Sequence, residues 1–167
     1  TLLRHGYKEL SIPAGPGGEY QLAADALHIW PRGGFMLIAL PNPDGTFTCT
    51  LFMNHSGDPS FESLREHSAV ERFFNDNFGD AMEHLEDPVG TFMAKTASPL
   101  FLVQVFPWSF NRKVALIGDA AHAIVPFYGQ GMNAGFEDCR ILMKLLNENP
   151  NSWGLAVERY ASLRKPN

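Results

Sequence analysis

The chain has 167 residues, of which 45% are hydrophobic and 19% charged; these are the proportions of a folded globular protein and exclude a disordered one. Its formal net charge is −5 and no Lys/Arg run is longer than two residues, which excludes a nucleic-acid binder that works through a basic patch. No apolar run approaches the roughly 18–20 residues of a membrane-spanning helix.

The first third carries strand signals. Residues 7–12 alternate weakly and stop at Pro13, ahead of the turn-forming run Ala14-Gly15-Pro16-Gly17-Gly18. Residues 26–30 and 35–40 are short apolar strands closed by Pro31 and Pro41. Asn42-Pro43-Asp44-Gly45 is a turn into a Thr- and Phe-rich strand at 46–53. The expected arrangement is an antiparallel meander. Apolar residues then recur at helical spacing. Phe61 and Leu64 predict a helix over 59–67 capped by Asp58 or Ser60; Val70, Phe73 and Phe74 predict another over 69–78 capped by Ser68. A further helical turn is expected at 80–86, a break at Asp87-Pro88, and β character at 101–106.

The run Lys113-Val114-Ala115-Leu116-Ile117 predicts a buried strand. Beyond a loop, a helix is predicted from Gly131 to Leu146, with Met132, Phe136, Cys139, Met143 and Leu146 as its apolar face. A last helix over 152–163 is expected to bury Leu155, Val157, Tyr160 and Leu163. The fold class is α/β in a mixed α+β form. An antiparallel sheet with a helical insert occupies residues 1–110, and a strand–loop–helix unit occupies 111–167.

Chemistry concentrates between Leu116 and Asp138. Asp119 is the first residue past the end of the predicted strand, where open α/β sheets bind ligands. An ionised carboxylate there suits a polyol chain, and it equally suits a loop-forming or capping role. Gly129-Gln130-Gly131 leads into a helix N-terminus, a place for a phosphate or an anionic heterocycle, or for close helix packing. Pro126-Phe127-Tyr128 could form a pocket wall or belong to the core. The histidines show no ligand spacing and the cysteines, Cys49 and Cys139, form no CxxC, so no metal site is expected. The two distant cysteines also favour a reducing, cytoplasmic setting. No nucleophile motif is present.

The stretch Gly118-Asp119-Ala120-Ala121-His122, continued by Pro126 and by Gly129-Gln130-Gly131-Met132-Asn133, resembles the second flavin-contacting region of the FAD-dependent aromatic hydroxylases. That is the single-component class related to p-hydroxybenzoate hydroxylase. The likeness spans nearly the whole chain and is weakest between about residues 54 and 110. It implies that residues 111–167 hold the last strand–loop–helix unit of a p-hydroxybenzoate-hydroxylase-like FAD-binding domain, and that residues 1–110 form a substrate-binding β-sheet. By position, Gly118 and Asp119 would meet the ribityl chain of FAD. Gly131, Met132 and Asn133 would present backbone to the pyrimidine side, with Pro126, Gly129 and Gln130 in the same cofactor region. Pro126, Phe127 and Tyr128 would lie beside the flavin ring and the substrate, and Leu27, Ile38, Leu40 and Phe52 would line an apolar wall for an aryl ring.

The activity implied by the resemblance is hydroxylation of L-kynurenine to 3-hydroxykynurenine, with NADPH as reductant, O2 as co-substrate and a flavin hydroperoxide as oxidant. The family's N-terminal GxGxxG, and the Asp-Gly motif it carries between the two halves of the FAD domain, are not in this sequence, and no catalytic side chain is implied because the cofactor carries the chemistry. The chain opens at Thr1 without Met and closes at Asn167, and is expected to be a portion of a longer enzyme, inactive alone. Any membrane anchor would belong to the remainder. The residues also admit a stand-alone, non-catalytic module with the meander as an apolar pocket; against it, residues 113–146 ask for parallel neighbours. An interaction scaffold has no specific support.

Overall fold

The computed structural model describes residues 1–164. These fall into two compact units, one formed by residues 3–100 and one by residues 1–2 together with the chain from Phe101 onward. Among the described residues no helix is long and apolar enough to cross a membrane.

The first unit is built on a five-stranded sheet. Its strands are β1 (Leu2–Ile12), β2 (His28–Arg32), β3 (Phe35–Pro41), β4 (Phe47–Asn54) and β5 (Ser98–Phe101), in the spatial order β2-β3-β4-β1-β5. The expected four-strand meander is corrected: β2-β3-β4 form one, but the first strand does not pair with β2. The first strand then lies antiparallel beside β4, in a register that runs from His5 opposite Asn54 to Ile12 opposite Phe47. The turn read from Asn42-Pro43-Asp44-Gly45 is present. Gly45 takes a left-handed φ of 86°, and Asp44 Oδ1 accepts from the Thr46 amide at 3.1 Å.

Strand alternation divides the sheet into two faces. Leu10, Ile12, Leu37, Ala39, Phe47, Cys49, Leu51 and Met53 point to one side and form the core. That side is covered by α1 (His67–Met82) and α2 (Pro88–Ala94), which contribute Val70, Phe73, Phe74, Phe78, Val89 and Phe92. The aromatic rings meet edge to face or tilted, with Phe74 6.1 Å from Phe78 and 6.0 Å from Phe92. Each such ring stabilises the fold by roughly 1.5–3 kcal/mol through burial. Phe78 breaks the helical geometry of α1 (φ −132°, ψ 29°). Arg32 lies over its ring at 5.4 Å, donates to the Asn77 carbonyl beside the kink, and pairs with Asp80 at 2.8 Å.

Several expectations shift. Residues 59–67 form turns instead of a helix, because Ser60 and Ser63 exchange side-chain-to-backbone bonds of 2.9 and 3.1 Å that close a local turn. Asp58 and Ser60 therefore cap nothing there. Helix α1 starts earlier, at His67 after Glu66, so Ser68 lies inside its first turn and does not cap it. Asp87-Pro88 starts a helix instead of breaking one. Asp87 is the N-cap and accepts from Gly90 N at 3.0 Å, and Pro88 occupies the first helical position. A Cβ at Gly90 would sit 2.1 Å from the Asp87 carboxylate, which is why glycine stands there. The β signal at 101–106 belongs to β5, which precedes it.

The second unit holds a small hairpin, β6 (Ser109–Phe110) and β7 (Val114–Ala115), then α3 (Asp119–His122), one 3-10 turn at Pro126–Tyr128, α4 (Gly131–Glu148) and α5 (Trp153–Arg164). The predicted buried strand at 113–117 is corrected. Only Val114 and Ala115 are extended; they pair antiparallel with β6, and Val114 and Ile117 are exposed. The left-handed Asn111 and Arg112 turn the chain back on itself and set that pairing. Trp108, Ala121, Leu145, Ala156, Tyr160 and Ala161 make the core. The expected apolar face of α4 is also corrected. Leu146 packs on the core as expected, together with Asp138, Ile141, Leu142 and Leu145, while Met132, Phe136, Cys139 and Met143 form an exposed stripe. In α5, Val157 and Tyr160 are buried as expected, but Leu155 and Leu163 are exposed and Ala156, Ala161 and Arg164 are buried instead.

Phe74 is fully buried and its ring meets those of Phe73, Phe78 and Phe92. Phe74→Ala should destabilise that unit by about 3–5 kcal/mol, read as a loss of unfolding free energy in urea; a change below about 1 kcal/mol would contradict the packing described.

Candidate functional site

The segment from Gly118 to Asn133 forms an open cradle. Gly118 has φ 57° and ψ −141°, a conformation that a side chain resists. Its carbonyl accepts from the amides of Ala121 and His122 at 2.9 and 3.0 Å, which folds α3. Ala121 and Ala123 carbonyls in turn accept from Val105 and Val103 at 3.3 and 3.0 Å. The 3-10 turn ends at Gly129, which is left-handed (φ 63°), and α4 begins two residues on. A Cβ at Gly118 or Gly129 would meet nothing within 4 Å, so both stretches of backbone border open space.

Gly118, Asp119, Pro126, Gly129, Gly131 and Met132 line one concavity of about 600 Å3. Gln130 and Asn133 line a neighbouring one and bond to each other at 3.0 Å. Asp119 is exposed at the first position of α3 and, among the described residues, accepts no hydrogen bond. It caps nothing, and its carboxylate is spare. Gln130, the N-cap of α4, makes no side-chain capping bond. The amides of Gly131, Met132 and Asn133 precede the first intrahelical bond, from Ala134 N to Gln130 O at 3.0 Å. A spare carboxylate, open glycine backbone and an uncapped helix N-terminus together suit a ligand with a polyol chain and an electron-poor heterocycle. Phe127 is half-buried and Tyr128 is 71% exposed, so Tyr128 does not belong to the core.

Behind the cradle lies a group that the sequence does not announce. Asp138 is fully buried, and its carboxylate accepts three bonds: from Gly118 N at 2.8 Å, His122 Nε2 at 2.6 Å and Arg164 Nε at 2.7 Å. Burial pushes its pKa up, but the bonds from Arg164, the Gly118 amide and His122 outweigh that and hold it below the ordinary 3.8. Arg164, also buried, reaches Glu137 at 2.9 Å as an ion pair without hydrogen-bond alignment. Trp108 packs 4.9 Å from the His122 ring, and Tyr160 donates to the Leu116 carbonyl at 3.0 Å. The one available signal was a carboxylate amid the apolar positions Ile141, Leu142 and Leu145 of the same helix.

In the first unit, Ile38, Leu40 and Phe52 share the sheet face opposite the helix-covered core. Ile38 stands beside Ile29 and Thr50, and Phe52 between Met36 and Tyr7. Ile38 and Phe52 are each 2% exposed and Leu40 is 41% exposed. Leu27 lies one residue before β2 and is half-buried.

Residues 91–164 match the family model described as FAD binding domain. In solved structures the same fold occurs in a probable FAD-dependent monooxygenase of Pseudomonas aeruginosa; the TM-score is 0.69 at 17% identity, over 98% of this chain and 44% of that one. The chain thus shares the fold of FAD-dependent monooxygenases, and its residues 91–164 carry the FAD-binding-domain match. Among curated proteins its similarity is to kynurenine 3-monooxygenases. It is 54% identical to that of Flavobacterium psychrophilum over 98% of this chain and 37% of the relative. It is 50% identical to that of Myxococcus xanthus over 99% of this chain and 35% of the relative. The chain thus spans about a third of the length of the curated relatives it matches.

Because the folded pKa of Asp138 lies below its unfolded value, its ionised form contributes stability above the ordinary 3.8, and that contribution is lost as pH falls through the folded value. The melting temperature should therefore drop steeply below about pH 4. In Asp138→Asn that acid limb should flatten; an unchanged slope in the variant would refute the assignment.

Proposed function

We propose that this chain is the portion of an NADPH- and FAD-dependent monooxygenase, hydroxylating L-kynurenine to 3-hydroxykynurenine, that supplies a substrate sheet (residues 1–110) and part of the FAD-binding domain (residues 111–167). The observation that carries the proposal is the 54% identity to a kynurenine 3-monooxygenase over 98% of the chain. Bound FAD, reduced by NADPH and meeting O2, would supply the oxygen-transfer chemistry itself.

The protein's own residues bind, orient and exclude water. Asp119, with its spare carboxylate, accepts hydrogen bonds from the ribityl hydroxyls. Gly118 and Gly129 leave the backbone bare, so that a flat ring and its chain can come close. The amides of Gly131, Met132 and Asn133 turn the positive end of α4 toward the pyrimidine side, where electron density gathers on reduction. Pro126, Phe127 and Tyr128 wall the ring, and Gln130 braces the turn through Asn133. On the sheet, Leu40 and the half-buried Leu27 offer open apolar surface to an aryl ring, and the nearly covered Ile38 and Phe52 complete the apolar face, which would keep water from the reacting carbon. No acid or base is required from this chain, because the amino group of an anthraniloyl ring already makes the adjacent carbon electron-rich.

In the full-length protein, Asp119→Ala should weaken FAD binding roughly 10–100-fold, the effect of losing hydrogen bonds to a charged group. Flavin fluorescence titration of the apoprotein reads this directly. The same preparation should form 3-hydroxykynurenine from L-kynurenine, scored by product instead of NADPH loss. Unaltered flavin affinity, or no product from the wild type, would sink the proposal.

A further inference from the structure

Asp138 is the only fully buried carboxylate among the described residues, and it is tied to the cradle on one side and to α5 on the other. One oxygen, Oδ2, takes both bonds that lead into the cradle, from the amide of Gly118 and from His122 Nε2. These two residues bracket Asp119, Ala120 and Ala121. Gly118 is held in a conformation that its φ of 57° leaves to glycine. Helix α4 comes so close that a Cβ at Gly135 would lie 3.7 Å from the Gly118 Cα. The other oxygen, Oδ1, is neutralised by Arg164. A buried ion pair of this kind contributes little net stability compared with a well-packed apolar pair, so its worth lies in the geometry it fixes.

We propose that Asp138 is a positioning residue for cofactor binding, which sets the register of Asp119 by clamping Gly118 and His122 while Arg164 keeps the clamp charged. This rests on the flavin reading given above for the cradle. Asp138 touches no ligand itself; it acts through the backbone of the turn and the imidazole of His122. Loss of the clamp frees the Gly118 amide to rotate, and Asp119 then spends only part of its time where a ribityl hydroxyl can reach it.

The test uses the full-length protein, with FAD titrated into the apoprotein and melting temperatures recorded in parallel. The variants are Asp138→Asn, His122→Leu and His122→Gln, with Leu145→Ala as a control that loosens the same core without touching the clamp. FAD Kd is expected to rise about tenfold for Asp138→Asn and for His122→Leu, which donates nothing. It should stay within about twofold of wild type for His122→Gln, whose amide still donates, and for Leu145→Ala. At saturating FAD, the visible circular dichroism of the bound flavin should change in Asp138→Asn and not in Leu145→Ala. If Asp138→Asn does not fold, the two His122 variants carry the comparison. An equal loss of affinity in Leu145→Ala at matched melting temperature would overturn the proposal and leave Asp138 a structural pin. If Asp119→Ala binds FAD as tightly as wild type, the flavin reading fails, and the positioning role fails with it.

Discussion

The second unit is organised around the need to neutralise one negative charge out of reach of water. A carboxylate at zero exposure is costly unless donors surround it. Three do so here, and each comes from a different place: the turn before α3, the end of α3 and the last turn of α5. Satisfying one side chain of α4 therefore sets where three other pieces of chain must lie. Trp108 over His122 and the Tyr160 hydroxyl on the Leu116 carbonyl extend the same arrangement outward. The surface turn itself has few apolar contacts of its own, and polar bonds do most of the shaping.

The first unit uses the opposite strategy. Its sheet is held from one side by an almost wholly apolar layer in which seven phenylalanines contribute to, or pack on, one cluster. One charged residue within it is instructive. Lys8 points to that side, donates to the Phe92 carbonyl at 2.6 Å and lies 3.8 Å from the centre of the Phe92 ring, and its burial lowers its pKa. With one face committed to the helices, the other is left to Ile29, Met36, Ile38, Leu40, Thr48, Thr50 and Phe52.

Much of this was legible in the sequence where the signal is local. The meander followed from alternation and from Asn42 to Gly45, and α1 from the spacing of Val70, Phe73 and Phe74. The cradle was visible because glycines and Asp119 sit within a few residues of one another. What escaped depends on residues far apart in the chain. Asp138 and Arg164 are separated by 26 positions, and neither carries a local pattern that names the other. The face of α4 was misjudged because Met132, Phe136 and Met143 keep helical spacing as faithfully as Ile141, Leu142 and Leu145; periodicity alone does not say which stripe a partner helix selects. Residues 113–117 misled for a related reason, since an apolar run has strand composition whether its neighbours are parallel strands or a two-residue hairpin.

The distance between the clamp and its last donor also bears on the order in which the chain becomes functional during synthesis. The turn at Gly118 and the carboxylate that holds it are only 20 residues apart and leave the ribosome almost together. Arg164 emerges 26 residues after Asp138, and at typical elongation rates of roughly 5–20 residues per second this is a delay of about one to five seconds. Through that interval Asp138 can draw on the Gly118 amide and His122 but lacks its Arg164 partner. Completion of the clamp thus waits on a helix that lies outside the lining of the cradle.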